Sequence, residues 1–90
     1  MKVMLNDKDV SLESLVSGYE GRDLTEIGVH LPNMSSYNHN YYKLPNGTVV
    51  LLQNDDDGFN QVSVKMPNGE LKYVGAQYDH DGRFMVGEFY

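Results

Sequence analysis

A chain of 90 residues, 40% hydrophobic and 22% charged, is the size of one domain spanning 1–90. It contains no cysteine, which excludes disulfides, thiolate metal sites and a cysteine nucleophile. Thirteen acidic against seven basic residues give a net charge of −6; with the bases scattered singly, ordinary direct binding to a nucleic-acid backbone is excluded as well.

Residues 1–5 (Met-Lys-Val-Met-Leu) suit a strand, which ends at Asn6-Asp7. No basic-apolar-small leader pattern and no apolar run of membrane length follow, so the expected location is the cytoplasm, with no membrane partner. Ser11 is placed to cap a short helix over 12–17, with Leu12, Leu15, Val16 and Tyr19 on one face. Gly18 and Gly21 would end it. Two turns of helix are not stable alone, so this one must lie on a sheet. Ile27, Val29 and Leu31 alternate with Glu26, Gly28 and His30, the pattern of a strand that stops before Pro32. Residues 32–40 are uncharged, polar and rich in chain breakers, which reads as a long surface loop.

Residues 41–90 are punctuated by Pro45-Asn46-Gly47, Asp55-Asp56-Asp57-Gly58, Pro67-Asn68-Gly69 and Asp79-His80-Asp81-Gly82. Asn-Gly and Asp-Gly supply either the two positive-φ positions of a type I′ turn or the αL glycine of a longer hairpin loop. The runs between them (41–44, 48–52, 61–66, 71–74 and 84–86) are rich in Val, Tyr, Leu and Phe, and read as five strands of an antiparallel meander. Val62, Val64 and Met66 alternate with polar residues, giving one buried face. The run 48–52 is apolar on both faces, as a covered central strand would be. The apolar phase switches beside Gly75, as a β-bulge would make it do. The expected fold is therefore α+β and β-rich. It has a bent meander of about five C-terminal strands, one or two N-terminal strands and one short helix (strand, short helix and strand in 1–31; polar loop 32–40; meander 41–90).

Few motifs carry chemistry. Asp79-His80-Asp81-Gly82 with Glu88 matches part of a calcium loop, but Gln77 would stand at its first position and neither flank is helical. An Asp-Gly hairpin accounts for the same residues. His30, His39 and His80 lack metal spacing. Gly18-Tyr19-Glu20-Gly21 is no phosphate-binding loop, and no serine nucleophile elbow is present. Neither a cofactor nor a metal is expected.

Charge placement is more informative. In a meander alternate turns emerge at the same end, so Asp55, Asp56 and Asp57 should share an end with Asp79 and Asp81, opposite the two neutral Pro-Asn-Gly tips. Such an acidic end would steer the chain onto a basic surface of a protein partner. Tyr37, Tyr41 and Tyr42, in and beside the uncharged loop, offer a separate apolar anchor, since tyrosine gives a large contact area at low entropy cost. The expectation is a non-catalytic protein-binding module, an inhibitor of a nucleic-acid-acting enzyme that mimics phosphate. The competing class is a structural or assembly subunit that oligomerises through a sheet edge. A calcium-binding or small hydrolytic domain ranks below both.

Overall fold

The computed structural model describes residues 2–5, 8–55 and 58–87. Its centre is a six-stranded antiparallel sheet in sequential order: β3 (Val29–His30), β4 (His39–Lys43), β5 (Val49–Asn54), β6 (Phe59–Lys65), β7 (Leu71–Tyr78) and β8 (Phe84–Val86). A separate two-stranded sheet pairs β1 (Lys2–Leu5) with β2 (Lys8–Ser11). The β-rich fold with a C-terminal meander is as the sequence implies, and β4 to β8 are its five strands.

Turn chemistry and alternation produce the meander. Around Gly47, the Leu44 N–H donates to Thr48 O at 2.8 Å and the Gly47 N–H donates to Leu44 O at 2.8 Å, with Gly47 at φ 90°. The turn at Gly69 repeats this through Met66 and Glu70, both bonds at 2.8 Å. Each is a three-residue loop closed by an αL glycine, not a type I′ turn. Along β6, Val62 and Val64 are buried, as is Met66 beyond its end, while Gln61, Ser63 and Lys65 are half-buried. In β5, Val50 and Leu52 enter the main core, and Leu51, on the other face, is only 1% exposed. The strand is covered on both sides.

The bulge falls where the phase switch indicated. Val62 pairs with Gly75 and Ser63 with Tyr73, which leaves Val74 as the extra residue, turned into the core. Gly75 then lies so close to β8 that a Cβ would run into the Met85 carbonyl and come within 3.0 Å of the Phe84 ring.

Residues 12–28 bring Leu12, Val16 and Leu24 against one face of the sheet, and four expectations for the chain up to residue 40 are corrected. The segment over 12–17 is a single 3-10 turn (Glu13–Val16), not a two-turn helix. Ser11 does not cap it: its hydroxyl donates to Glu13 Oε2 at 2.8 Å. The segment sits between β2 and Gly18 (φ 88°), too short a span for α-helical bonds to propagate. Its expected apolar face is nonetheless the buried one, with Leu12 and Val16 inside and Leu15 and Tyr19 packed against the core. Second, the alternating 27–31 segment is mostly not a strand. Ile27 closes a one-turn helix, α1 (Leu24–Ile27), so that Leu24 and Ile27 share a buried face at i, i+3. Only two residues remain for β3, and Val29 is 67% exposed. Third, the N-terminal part holds three short strands, because the chain doubles back after β1. The loop over 32–40 is also shorter than expected: a tight turn joins Ser36 to His39, and His39 and Asn40 already belong to β4.

The core comprises Leu12, Val16 and Leu24 against Leu44, Val50, Leu52, Val62, Val64, Met66, Val74 and Phe84. The β8 edge of the sheet is partly occupied, and the opposite edge is the two-residue β3. At β8, the Gly21 N–H donates to Phe84 O at 2.7 Å and the Phe84 N–H to Arg22 O at 3.0 Å. Just past β3, the Leu31 N–H continues the ladder with β4 by donating to Tyr41 O at 2.9 Å, and the Tyr41 N–H donates to Ser35 Oγ at 3.0 Å. No helix among the described residues is long and apolar enough to cross a membrane.

Candidate functional site

The turns after β5 and β7 meet at one end of the sheet. The β6–β7 ladder ends on Phe59 opposite Tyr78, and the Asp79 N–H extends it by donating to Gly58 O at 2.9 Å. The Asp55 turn and the Asp79–Asp81 turn are thereby joined through backbone. Asp55, Asp79 and Asp81 are all exposed. Asp56 and Asp57 lie outside the described residues, as does Glu88 of the partial calcium motif.

A third turn reaches the same end. The Ser36 N–H donates to His39 O at 2.8 Å, and the His39 N–H donates back at 3.0 Å. This places Tyr37 and Asn38 at the tip, and Asn38 takes φ 66°. The Asn54 N–H donates to Asn38 O at 2.9 Å, so the tip sits beside the residue preceding Asp55. Tyr37 is 90% exposed. The other two tyrosines do not join it. Tyr41 pairs with Leu51 on the sheet face away from the main core, while Tyr42 packs against that core with its ring centroid 5.2 Å from that of His30. Successive residues of a strand face opposite ways, so Tyr41 and Tyr42 cannot form one anchor.

A buried polar network that the sequence reading missed supports the acidic end. Asn60 and Gln77 face each other across β6 and β7 and are 7% and 3% exposed. Asn60 Nδ2 donates to Asp79 Oδ1 at 2.6 Å. Gln77 Oε1 accepts from the Leu24 N–H at 2.8 Å, and its Nε2 donates to Asp23 Oδ1 at 3.0 Å. The same Asp23 oxygen caps α1, accepting from the Thr25 N–H at 2.9 Å and the Thr25 hydroxyl at 2.6 Å. Asp23-x-x-Glu26 ahead of an apolar run was the available signal, an N-terminal helix signature with Asp as cap. Asn60 could also have been noticed, as a polar residue in phase with Val62, Val64 and Met66.

The charge at this end is not uniform. Asp81 receives the Arg83 N–H at 3.2 Å, and its other oxygen lies 3.3 Å from Arg83 Nη2. The Arg83 backbone N–H, helped by its guanidinium, holds the Asp81 carboxyl below the usual carboxylate range, so it stays ionised. His80 extends an edge-to-face aromatic row, its ring 5.5 Å from Tyr78, which in turn lies 5.2 Å from Phe59. Among the described residues, no group of three His, Asp or Glu side chains is placed to hold a metal ion.

The opposite end carries the neutral tips at 45–47 and 67–69. A groove of about 600 Å³ opens between them, walled mainly by Leu15, Met34, Val49, Val64 and Met66, and no acidic residue lines it.

No family model, no curated protein and no solved structure matches the chain.

Proposed function

We propose that the chain is a non-catalytic, cytoplasmic binding module whose acidic sheet end docks on a basic surface of a protein partner. The observation that carries this reading is the Asp79 N–H to Gly58 O bond, which holds two acidic turns together at one end. Carboxylates fixed on adjacent backbone turns present charge at a set spacing, as a phosphate row does, and cost little ordering entropy on binding. The partner class that fits is a nucleic-acid-acting protein with a phosphate-binding groove, which the module would block. Tyr37, exposed at the same end, supplies apolar contact beside the charge; Tyr41 and Tyr42 drop out of the proposed surface.

The Gly21 and Arg22 contacts on β8 and the two-residue length of β3 weigh against assembly through a long open sheet edge.

The test is capture of partners from native lysate on the immobilised chain, at low and high salt, beside an Asp55→Asn, Asp79→Asn, Asp81→Asn variant. The expected result is a nucleic-acid-acting protein retained at low salt, released at high salt and lost in the variant. Equal capture by the charge-neutralised variant would reject the proposal.

A further inference from the structure

Asn-Gly occurs twice in the chain, at 46–47 and 68–69, each time after proline. The two turns share their backbone bonds and their glycine conformation, φ 90° and 88°. They also share a side-chain contact: Asn46 Oδ1 accepts from the Thr48 N–H at 3.0 Å, and Asn68 Oδ1 from the Glu70 N–H at 2.9 Å. Both tips are exposed, and a Cβ added at either glycine would meet nothing within 4 Å. The difference lies in what holds the asparagine. Asn46 Nδ2 donates to Leu15 O at 2.9 Å, and the Asn46 N–H donates to the Tyr19 hydroxyl at 3.0 Å. Asn68 makes no such tertiary bond among the described residues.

We infer that Asn68 is a site of spontaneous deamidation, and that Asn46 in the same tripeptide is protected by its contacts with Leu15 and Tyr19. Once the Gly69 N–H has left Met66 O, an opening that Gly47 needs equally from Leu44 O, the Gly69 nitrogen loses its proton to solvent base and attacks Asn68 Cγ. A carbon–nitrogen bond forms, Nδ2 leaves as ammonia, and a five-membered succinimide results. Water then opens the ring at either carbonyl, giving aspartate or isoaspartate at 68. The balance is one water consumed and one ammonia released, with no change of oxidation state. Glycine at the following position offers no side chain to hinder the attack, and its backbone freedom helps the ring to close. At Asn46 the side chain must first leave Leu15 O, and the backbone must shift from Tyr19. Two net hydrogen bonds, at roughly a factor of five each, make Asn46 about 25-fold slower. The new charge arises at the neutral end of the sheet, so this inference is independent of the acidic-end proposal.

The experiment incubates the folded full-length chain in mildly alkaline buffer and follows both sites by peptide mapping with mass spectrometry. The expected result is a one-dalton gain at Asn68 about 25-fold faster than at Asn46. In concentrated urea the two rates should converge, because the protection is tertiary. Tyr19→Phe should raise the Asn46 rate several-fold and leave Asn68 unchanged. Equal rates in the folded chain, a rate ratio that survives in urea, or an unmoved Asn46 rate in Tyr19→Phe would each overturn the inference.

Discussion

Asp23 Oδ1 accepts a hydrogen bond from Gln77 Nε2 at 3.0 Å, across a separation of 54 residues. Through this bond the cap of α1 is fastened to β7 immediately before the acidic turn. Gln77→Leu removes the acceptor of the buried Leu24 N–H as well as the donor to Asp23. An unsatisfied buried group costs about 1–3 kcal/mol, so a loss of that order is expected in urea unfolding. Gln77→Glu keeps an acceptor but sets a second carboxylate beside Asp23. Its folded-state pKa should rise, and the deficit at neutral pH should shrink as the pH falls toward the carboxylate range.

Gly75 has no room for a side chain. Its Cβ would meet the Met85 carbonyl, which is backbone and cannot rotate away. Gly75→Ala is therefore expected to destabilise by about 1–3 kcal/mol, the usual cost of overpacking. Hydrogen exchange at the β8 amides should accelerate in the variant, because relief requires β8 to separate from β7.

Tyr42 gives the fold an alkaline limit. Its hydroxyl titrates above the ordinary tyrosine value, first because burial disfavours the phenolate and second because the Asp23 charge opposes it. The folded state thus holds its proton more tightly than the unfolded state. The stabilisation is complete below the unfolded value near 10 and is lost as pH rises through the folded one. Stability measured against pH should fall in that alkaline window, and Tyr42→Phe should reduce the slope there.

Tyr37 is nearly all in solvent, so Tyr37→Ala should leave stability within about 0.5 kcal/mol. If the acidic end is a docking surface, the same variant should weaken partner capture at low salt and leave its dependence on salt unchanged. The Asp→Asn variant should instead abolish the salt-sensitive capture. A loss of stability in Tyr37→Ala would contradict the exposed placement of this turn.

The C-terminal half was legible because its elements are specified locally. Asn-Gly and Asp-Gly fix where the chain reverses, and Val62, Val64 and Met66 mark one face by alternation. Even the bulge left a trace, since an extra residue shifts every later side chain by one phase. The N-terminal part was harder for a definite reason. Ile27, Val29 and Leu31 alternate as in a strand, yet Leu24 and Ile27 also satisfy a helical spacing, and a segment so short cannot distinguish the periods. The Asp23 cap and the packing of Leu24 decided between them.

The site divides in the same way. The sequence by itself determined a net charge of −6, neutral and acidic turns in alternation, and an up-and-down path that sends alternate turns to the same end. Only the tertiary structure decided that Tyr37 joins the acidic turns while Tyr41 and Tyr42 diverge, and that Asn60, Gln77 and Asp23 support that end. It also decided that one Asn-Gly turn is held by Leu15 and Tyr19 while its twin is left to solvent. Turn preference and alternation are local properties of the chain. Hydrogen bonds spanning 27, 31 or 54 residues are not, because the partner of a polar group is chosen by whichever group packing brings within 3 Å of it.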